Sequence, residues 1–105
     1  MKLIDLNPRW VRAGGPGITT RDRKPVPERL GVGVSFDCPC GCGIRVYVDL
    51  QNPLDGGGPH ETAAPKWTRT GTDFETLTLS PSIQRSDLYG CGWHGFVTDG
   101  DIKTV

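Results

Sequence analysis

The chain has 105 residues, carries a formal net charge of zero, and only 35% of its residues are hydrophobic. At this length we expect one domain. No apolar run is long enough for a signal peptide or a membrane span, so we expect a soluble, cytosolic protein. Fifteen glycines and nine prolines favour strands and turns over helices, and so small an apolar supply favours a covalent or metal staple.

The N-terminal residues 1–29 are predicted to form an extended arm ahead of a β domain at residues 30–105. Residues 1–36 carry seven basic and three acidic side chains, and the remainder carries five basic and nine acidic ones. This asymmetry fits either a solvated surface or a positive arm that meets a negative protein partner or a second copy of the chain. The candidate partner-binding residues are Arg9, Trp10 and Arg12.

A β-hairpin is predicted around the first three cysteines. Apolar residues alternate with other residues in the segments 30–36 and 44–50, on either side of a glycine-rich turn. Period-two alternation is typical of strands with one buried face. The same alternation turns Cys38 inward, so thiols are expected at the tip of this hairpin, pointing back toward the core.

The C-terminal half reads as further strands joined by turns. After a loop at 51–65, segments 66–70 and 73–79 are expected to pair, and residues 95–105 are expected to form a hairpin around Asp99-Gly100. A short helix is possible near Ser82–Leu88, where a serine precedes the segment. The fold class predicted is mostly β: a small zinc-stapled antiparallel sheet or sandwich with little helix.

Five residues are candidate metal ligands. Clustered cysteines in a reducing compartment favour a metal over disulfides, and a Cys-x-x-His pair has a spacing that suits tetrahedral zinc. A long-range disulfide or free thiols remain the alternatives, and iron is a less favoured metal than zinc. The set is Cys38, Cys40, Cys42, Cys91 and His94.

Four of these five candidates would fill a tetrahedral site, and the sequence leaves open which four. The pair Cys91 and His94 is the firmest, and Cys40 with Cys42 is preferred over Cys38 because each of the two precedes a glycine. Crowding at the hairpin tip is expected to keep all three cysteines from binding together.

A closed site with soft ligands leaves no open position for water or substrate, so it would act as a fold staple. We therefore expect a non-catalytic structural or protein-interaction module. The alternatives are a small metal-dependent hydrolase and a nucleic-acid-binding zinc protein. Zero net charge weighs against the last, because phosphate contacts normally supply most of the affinity for nucleic acid.

The chain resembles a family of short bacterial and phage proteins of uncharacterised function. The shared features are "CPCGCG", a tryptophan at Trp67, "PSI" at residues 81–83, and "CGWHGF" at residues 91–96. The resemblance implies a zinc-binding β domain with the five ligand candidates above. It also implies a phage virion or accessory component, located in the bacterial cytoplasm or in the virion.

Overall fold

The computed structural model describes residues 1–15, 17–60, 62, 64–85 and 91–105. In this part of the chain the fold is mostly β, as predicted: a short 3-10 helix at Leu3–Leu6 precedes seven strands. The strands are β1 (Arg9–Ala13), β2 (Arg29–Asp37), β3 (Arg45–Leu50), β4 (Lys66–Thr70), β5 (Thr78–Gln84), β6 (His94–Thr98) and β7 (Asp101–Thr104). No helix among these residues is long and apolar enough to cross a membrane.

The strands form one curled sheet whose spatial order follows the chain, from β1 to β7. Neighbouring strands are antiparallel except β3 and β4, which pair in parallel at two positions. Lys2 bridges Asp101 of β7, and the amide of Ile102 donates to the carbonyl of Met1. The start of the chain therefore lies beside the last strand.

The predicted hairpin around the cysteines is confirmed. β2 pairs antiparallel with β3, with Val34 opposite Val48 and Phe36 opposite Val46. These four side chains are at most 3% exposed, so the alternation identified the buried face at the centre of the hairpin. Its first members, Leu30 and Ile44, are 44% and 49% exposed instead. The hairpin at Asp99-Gly100 is also confirmed, because β6 and β7 flank this dipeptide and pair antiparallel.

Residues 3–13 differ from the predicted extended arm. Leu3 is fully buried in the core, and β1 pairs with β2 along five positions. Trp10 stacks on Phe74 with ring centroids 4.8 Å apart. The sequence did not reveal this because β1 has only half-buried and exposed positions. β1 is held by its pairing with β2 and by the stacking of Trp10 on Phe74, which is 64 residues away in the sequence.

The segment between β1 and β2 folds back on itself as a small hairpin. Thr19 bridges Pro25, and Arg23, at the tip, has a positive φ of 59°.

Arg29, the first residue of β2, contacts the loop after β3. It donates from Nε to Asp55 Oδ2 across 2.9 Å and from Nη2 to the carbonyl of Gly58. This contact ties the loop after β3 to the start of β2.

The predicted helix near Ser82–Leu88 is wrong at its start, because Ser82 and Gln84 belong to strand β5. Residues 86–88 of that prediction lie outside the described residues. β4 and β5 pair antiparallel as expected, but β5 begins at Thr78. The preceding turn is closed by Asp73, whose Oδ1 accepts from the Thr76 amide.

Candidate metal centre and active site

The hairpin tip between β2 and β3 presents three cysteines in a tight turn. The amide of Cys38 donates to the carbonyl of Ile44, and the amide of Gly41 donates back to the carbonyl of Cys38. Gly41 and Gly43 have φ values of 82° and 80°, a region that residues with a Cβ rarely adopt. Because these glycines alternate with the cysteines, the backbone turns sharply enough to bring three thiols together.

The fourth cysteine comes from the segment just before β6. Cys91 Sγ lies 3.3 Å from Cys38 Sγ, and Cys38 Sγ lies 3.3 Å from Cys40 Sγ. The sulfurs of Cys38, Cys40, Cys42 and Cys91 all lie within 4.8 Å of one another. A disulfide bond would place two sulfurs about 2.05 Å apart, and all four cysteines are free. The four sulfurs therefore form one group that could hold a metal ion.

The shared hydrogen bonds among these thiols separate their pKa values. The main cause is the hydrogen bond between the side chains of Cys40 and Cys91. It lowers the pKa of Cys91 to about 6 and raises the pKa of Cys40 to about 12. The pKa of Cys42 is lowered mainly by the backbone amide of Ile44. The lowered pKa of Cys91 favours its thiolate, which is the form that metals bind.

All four predicted cysteine ligands lie in this group, including Cys38, which the sequence had set apart. Cys38, the first residue after β2, is 4% exposed, as the alternation continued from β2 predicted. The structure does not bring His94 into the group. Cys91 precedes β6, whereas His94 is its first residue and faces the neighbouring strand β5.

His94 instead meets a serine. Its Nε2 lies 3.0 Å from Ser82 Oγ, and both residues are half-buried. The contact lies beside an irregularity in the pairing of β5 with β6. Leu79 lies opposite Val97, and Ile83 lies opposite Gly95. Between these two pairs β5 covers four positions while β6 covers two, so the one-to-one pairing is interrupted there. Such bulges re-aim side chains and are frequent beside active sites.

Two tryptophans hold this part of the sheet. Trp67 Nε1 donates to the carbonyl of Ser82 across 3.3 Å. Trp93 is buried, and its Nε1 donates to Thr104 Oγ1 across 3.0 Å. A Cβ at Gly95 would lie 2.5 Å from the Trp93 ring and 2.5 Å from the carbonyl of Lys103, so β6 requires a glycine next to His94.

The thiol group and the Ser–His pair share their supporting strands. Cys91 lies three residues before His94, and Arg85 lies three residues after Ser82. The amide of Arg85 donates to the carbonyl of Trp93, and its Nη1 lies 3.6 Å from Cys42 Sγ. The thiol group therefore contacts both chain segments that carry the Ser–His pair.

The candidate partner-binding residues lie elsewhere, on β1. Arg9 is exposed, and Arg12 donates from Nη1 to Glu28 Oε1 across 3.1 Å. Trp10 is engaged by Phe74, as described above. Partner binding by these three residues stays a prediction.

The described residues thus form a small β domain in which a Ser–His pair lies next to a group of four thiols. The model of one protein family, described as the bacterial ubiquitination-like system serine protease (BubE), matches residues 18–105. The chain belongs to this family. Comparisons with curated proteins and with solved structures gave no match.

The family membership corrects the function expected from the sequence. We expected a non-catalytic module, but the family is named for a serine protease. That expectation rested on a closed metal site that took up His94 as a ligand. With His94 beside Ser82, the imidazole is available for chemistry. The predicted resemblance to a bacterial family with clustered cysteines is confirmed, while its phage members and its full motif stay predictions.

Proposed function

We propose that this chain is a serine protease in which Ser82 is the nucleophile and His94 is the general base. The observation that carries the proposal is the 3.0 Å contact between Ser82 Oγ and His94 Nε2. A nucleophile and a base within hydrogen-bond reach are the recognisable core of such sites on unrelated folds. The placement of Ser82 on a bulge and the family's description both support it.

The reaction follows from this pair. With the proton of the neutral imidazole on Nδ1, Nε2 accepts the Ser82 hydroxyl proton as Oγ attacks the carbonyl carbon of the substrate. The imidazolium then donates that proton to the leaving nitrogen, the C–N bond breaks, and an acyl-serine ester remains. His94 next takes a proton from water, which attacks the ester carbonyl, and Oγ leaves with the proton returned by the imidazolium.

Trp67 acts in this scheme as a positioning residue. Its indole N–H donates to the carbonyl of Ser82 and so restrains the backbone of the bulge. A nucleophile that is misplaced by about 1 Å can lose about two orders of magnitude in rate. The contact therefore has more effect on catalysis than on stability, since a single hydrogen bond contributes only about 1 kcal/mol to folding.

We propose zinc as the metal held by Cys38, Cys40, Cys42 and Cys91. Four thiolates in a tetrahedron suit zinc, whose bonds to sulfur are about 2.3 Å long. The resulting edges of about 3.8 Å are close to the sulfur–sulfur distances of this group. Four thiolates complete the tetrahedral shell, so the metal would hold the hairpin tip against the segment before β6 and leave the chemistry to Ser82 and His94.

The substrate we propose is a protein of the bacterial ubiquitination-like system for which the family is named. The protein partner that we expected from the sequence would then be a substrate, which is cut at an amide bond.

The test is cleavage of a random peptide library by the purified zinc-loaded protein, with products identified by mass spectrometry. We expect cleavage by the wild type and by Ser80→Ala, an exposed serine on the same bulge. We expect none above background from Ser82→Ala and a loss of at least about 100-fold for His94→Ala. Equal cleavage by Ser82→Ala and wild type would contradict the proposal.

A further inference from the structure

One exposed aromatic side chain lies directly beside the Ser–His pair. Phe96 is 44% exposed and follows His94 by two residues on β6. Residues two apart on a strand share a face, and the two ring centroids are 6.3 Å apart at an interplanar angle of 31°. The phenyl ring and the imidazole therefore lie side by side on the outer face of the sheet.

The strand pairing also places Phe96 opposite the nucleophile's bulge. On β6, Phe96 lies between Gly95, which faces Ile83, and Val97, which faces Leu79. The stretch of β5 across from Phe96 is therefore residues 80–82, which contains Ser82. On the other side, Phe96 pairs with Lys103 of β7. The ring thus flanks the position where a scissile bond must lie to be reached by both Ser82 and His94.

An exposed ring at this place is not explained by the core. The neighbouring positions Gly95 and Val97 are buried, and Phe96 belongs to the opposite face. Val105 is also exposed, at 73%, and its amide donates to the carbonyl of His94. Other exposed hydrophobic side chains lie in other parts of the fold, for example Tyr47 on β3 at 67% and Ile18 at 51% in the loop after β1.

We propose that Phe96 is a specificity-determining residue whose ring receives an apolar side chain of the substrate next to the bond that is cut. This inference rests on the proposed protease function and adds a preference to it. Contact with the ring removes apolar surface of both partners from water, and a difference of this kind in a protease subsite changes kcat/KM by about 10- to 200-fold. The substrate class is accordingly a polypeptide with an aliphatic or aromatic residue beside the scissile bond.

A different role for Phe96 would be to orient the His94 ring without touching substrate. The two roles differ in what they do to a small reagent that reacts with Ser82. A fluorophosphonate needs the activated serine but has no peptide side chain to contact Phe96. Its labelling rate reports the Ser–His pair, while the cleavage preference for peptides reports the subsite.

The experiment compares wild type, Phe96→Ala, Phe96→Leu and Tyr47→Ala in both assays. In the random peptide library, the wild type is expected to enrich apolar residues at one position flanking the cleaved bond. Phe96→Ala is expected to reduce this enrichment by at least about tenfold, with a fluorophosphonate labelling rate within about twofold of wild type. Phe96→Leu retains an apolar surface and should keep most of the enrichment, and Tyr47→Ala should match wild type in both assays.

Three results would overturn the inference while leaving the protease in place. They are a wild-type enzyme that labels and cleaves without apolar enrichment, an enrichment unchanged in Phe96→Ala, and a labelling rate that falls in Phe96→Ala as much as peptide cleavage does. A wild-type protein that is neither labelled at Ser82 nor active on the library would instead contradict the proposed function, and this inference with it.

Discussion

Trp67 and Ser82 are joined by a hydrogen bond from the indole Nε1 to the serine carbonyl across 3.3 Å. The bond crosses from β4 to the irregular part of β5, where regular ladder pairing with β6 is interrupted. On the other side of β5, the hydroxyl of the same serine meets His94. The nucleophile is therefore held by its backbone from one strand and by its side chain from the other.

Replacing Trp67 by Phe removes the indole N–H and keeps an aromatic ring. We expect kcat to fall by about tenfold or more, because the bulge loses a restraint on Ser82, with a loss of about 1 kcal/mol in unfolding free energy. Peptide turnover and urea denaturation measure the two effects.

The matched control is Trp93→Phe, which removes the indole donor to Thr104. It should lower stability and leave kcat within about twofold of wild type. Equal losses of kcat in the two variants would show that Trp67 has no particular role at Ser82.

Replacing Cys38 or Cys91 by Ser removes one of the four sulfurs. We expect loss of about one equivalent of zinc per chain and a fall in Tm of more than about 10 °C, because structural zinc contributes directly to folding and about 1 kcal/mol shifts Tm by 4–8 °C at this size. Elemental analysis and a thermal scan provide the measurements. Ser80→Ala serves as the control, and a full metal complement in the cysteine variants would refute the site.

Arg85 contacts the thiol group from outside, through Nη1 and Cys42 Sγ. Four thiolates around a divalent ion leave a net charge of about −2, which a neighbouring guanidinium stabilises. We expect Arg85→Ala to weaken zinc binding by about 10- to 100-fold and Arg85→Lys to weaken it less. Competition with a chromophoric chelator measures the affinity. The control is Arg21→Ala, in the exposed loop after β1, which should bind zinc like wild type. Wild-type zinc affinity in Arg85→Ala would show that the contact between Arg85 and Cys42 does not contribute to zinc binding.

The contact between Arg29 and Asp55 predicts a pH-dependent contribution to stability. The hydrogen bond from Arg29 lowers the pKa of Asp55 to about 2, from a model-peptide value of 3.8. A lowered pKa in the folded state stabilises above the unfolded pKa, and this stabilisation is lost as the pH falls toward the folded value. Both side chains are partly exposed, so the effect is modest.

Asp55→Asn should therefore be less stable than wild type at pH 7, and the difference should shrink as the pH falls below about 4. Urea midpoints of the two proteins at matched pH measure it, and any effect of acid on the metal site cancels in the difference. A difference that is constant from pH 7 to pH 3 would contradict the assignment.

The sequence identified the buried face of the β2–β3 hairpin and the four cysteines, because both depend on local patterns. Alternation fixes which side Val34 and Val48 face, and glycines between cysteines indicate a tight thiol-bearing turn. The paired strands at the C-terminus followed from the Asp99-Gly100 turn for the same reason.

The Ser–His pair depends on relations that are not local. Cys-x-x-His is a spacing that suits zinc, so the sequence did not show that β6 begins at His94 and that this side chain faces β5. Ser82, next to a proline, had the appearance of a turn residue. Its hydroxyl meets the imidazole because Gln84 of β5 pairs with His94 of β6, and Ser82, two residues before Gln84, lies on the same face. No single-sequence pattern encodes which strands pair in this way.

The most direct measurement is to label the zinc-loaded protein with a fluorophosphonate and to map the adduct by tandem mass spectrometry. Tryptic cleavage releases residues 70–85, which contain both Ser80 and Ser82. The account predicts one adduct per chain on Ser82 and a labelling rate at least about 100-fold lower in His94→Ala. An adduct on Ser80, or a wild-type protein that stays folded and zinc-loaded but unlabelled, would contradict it.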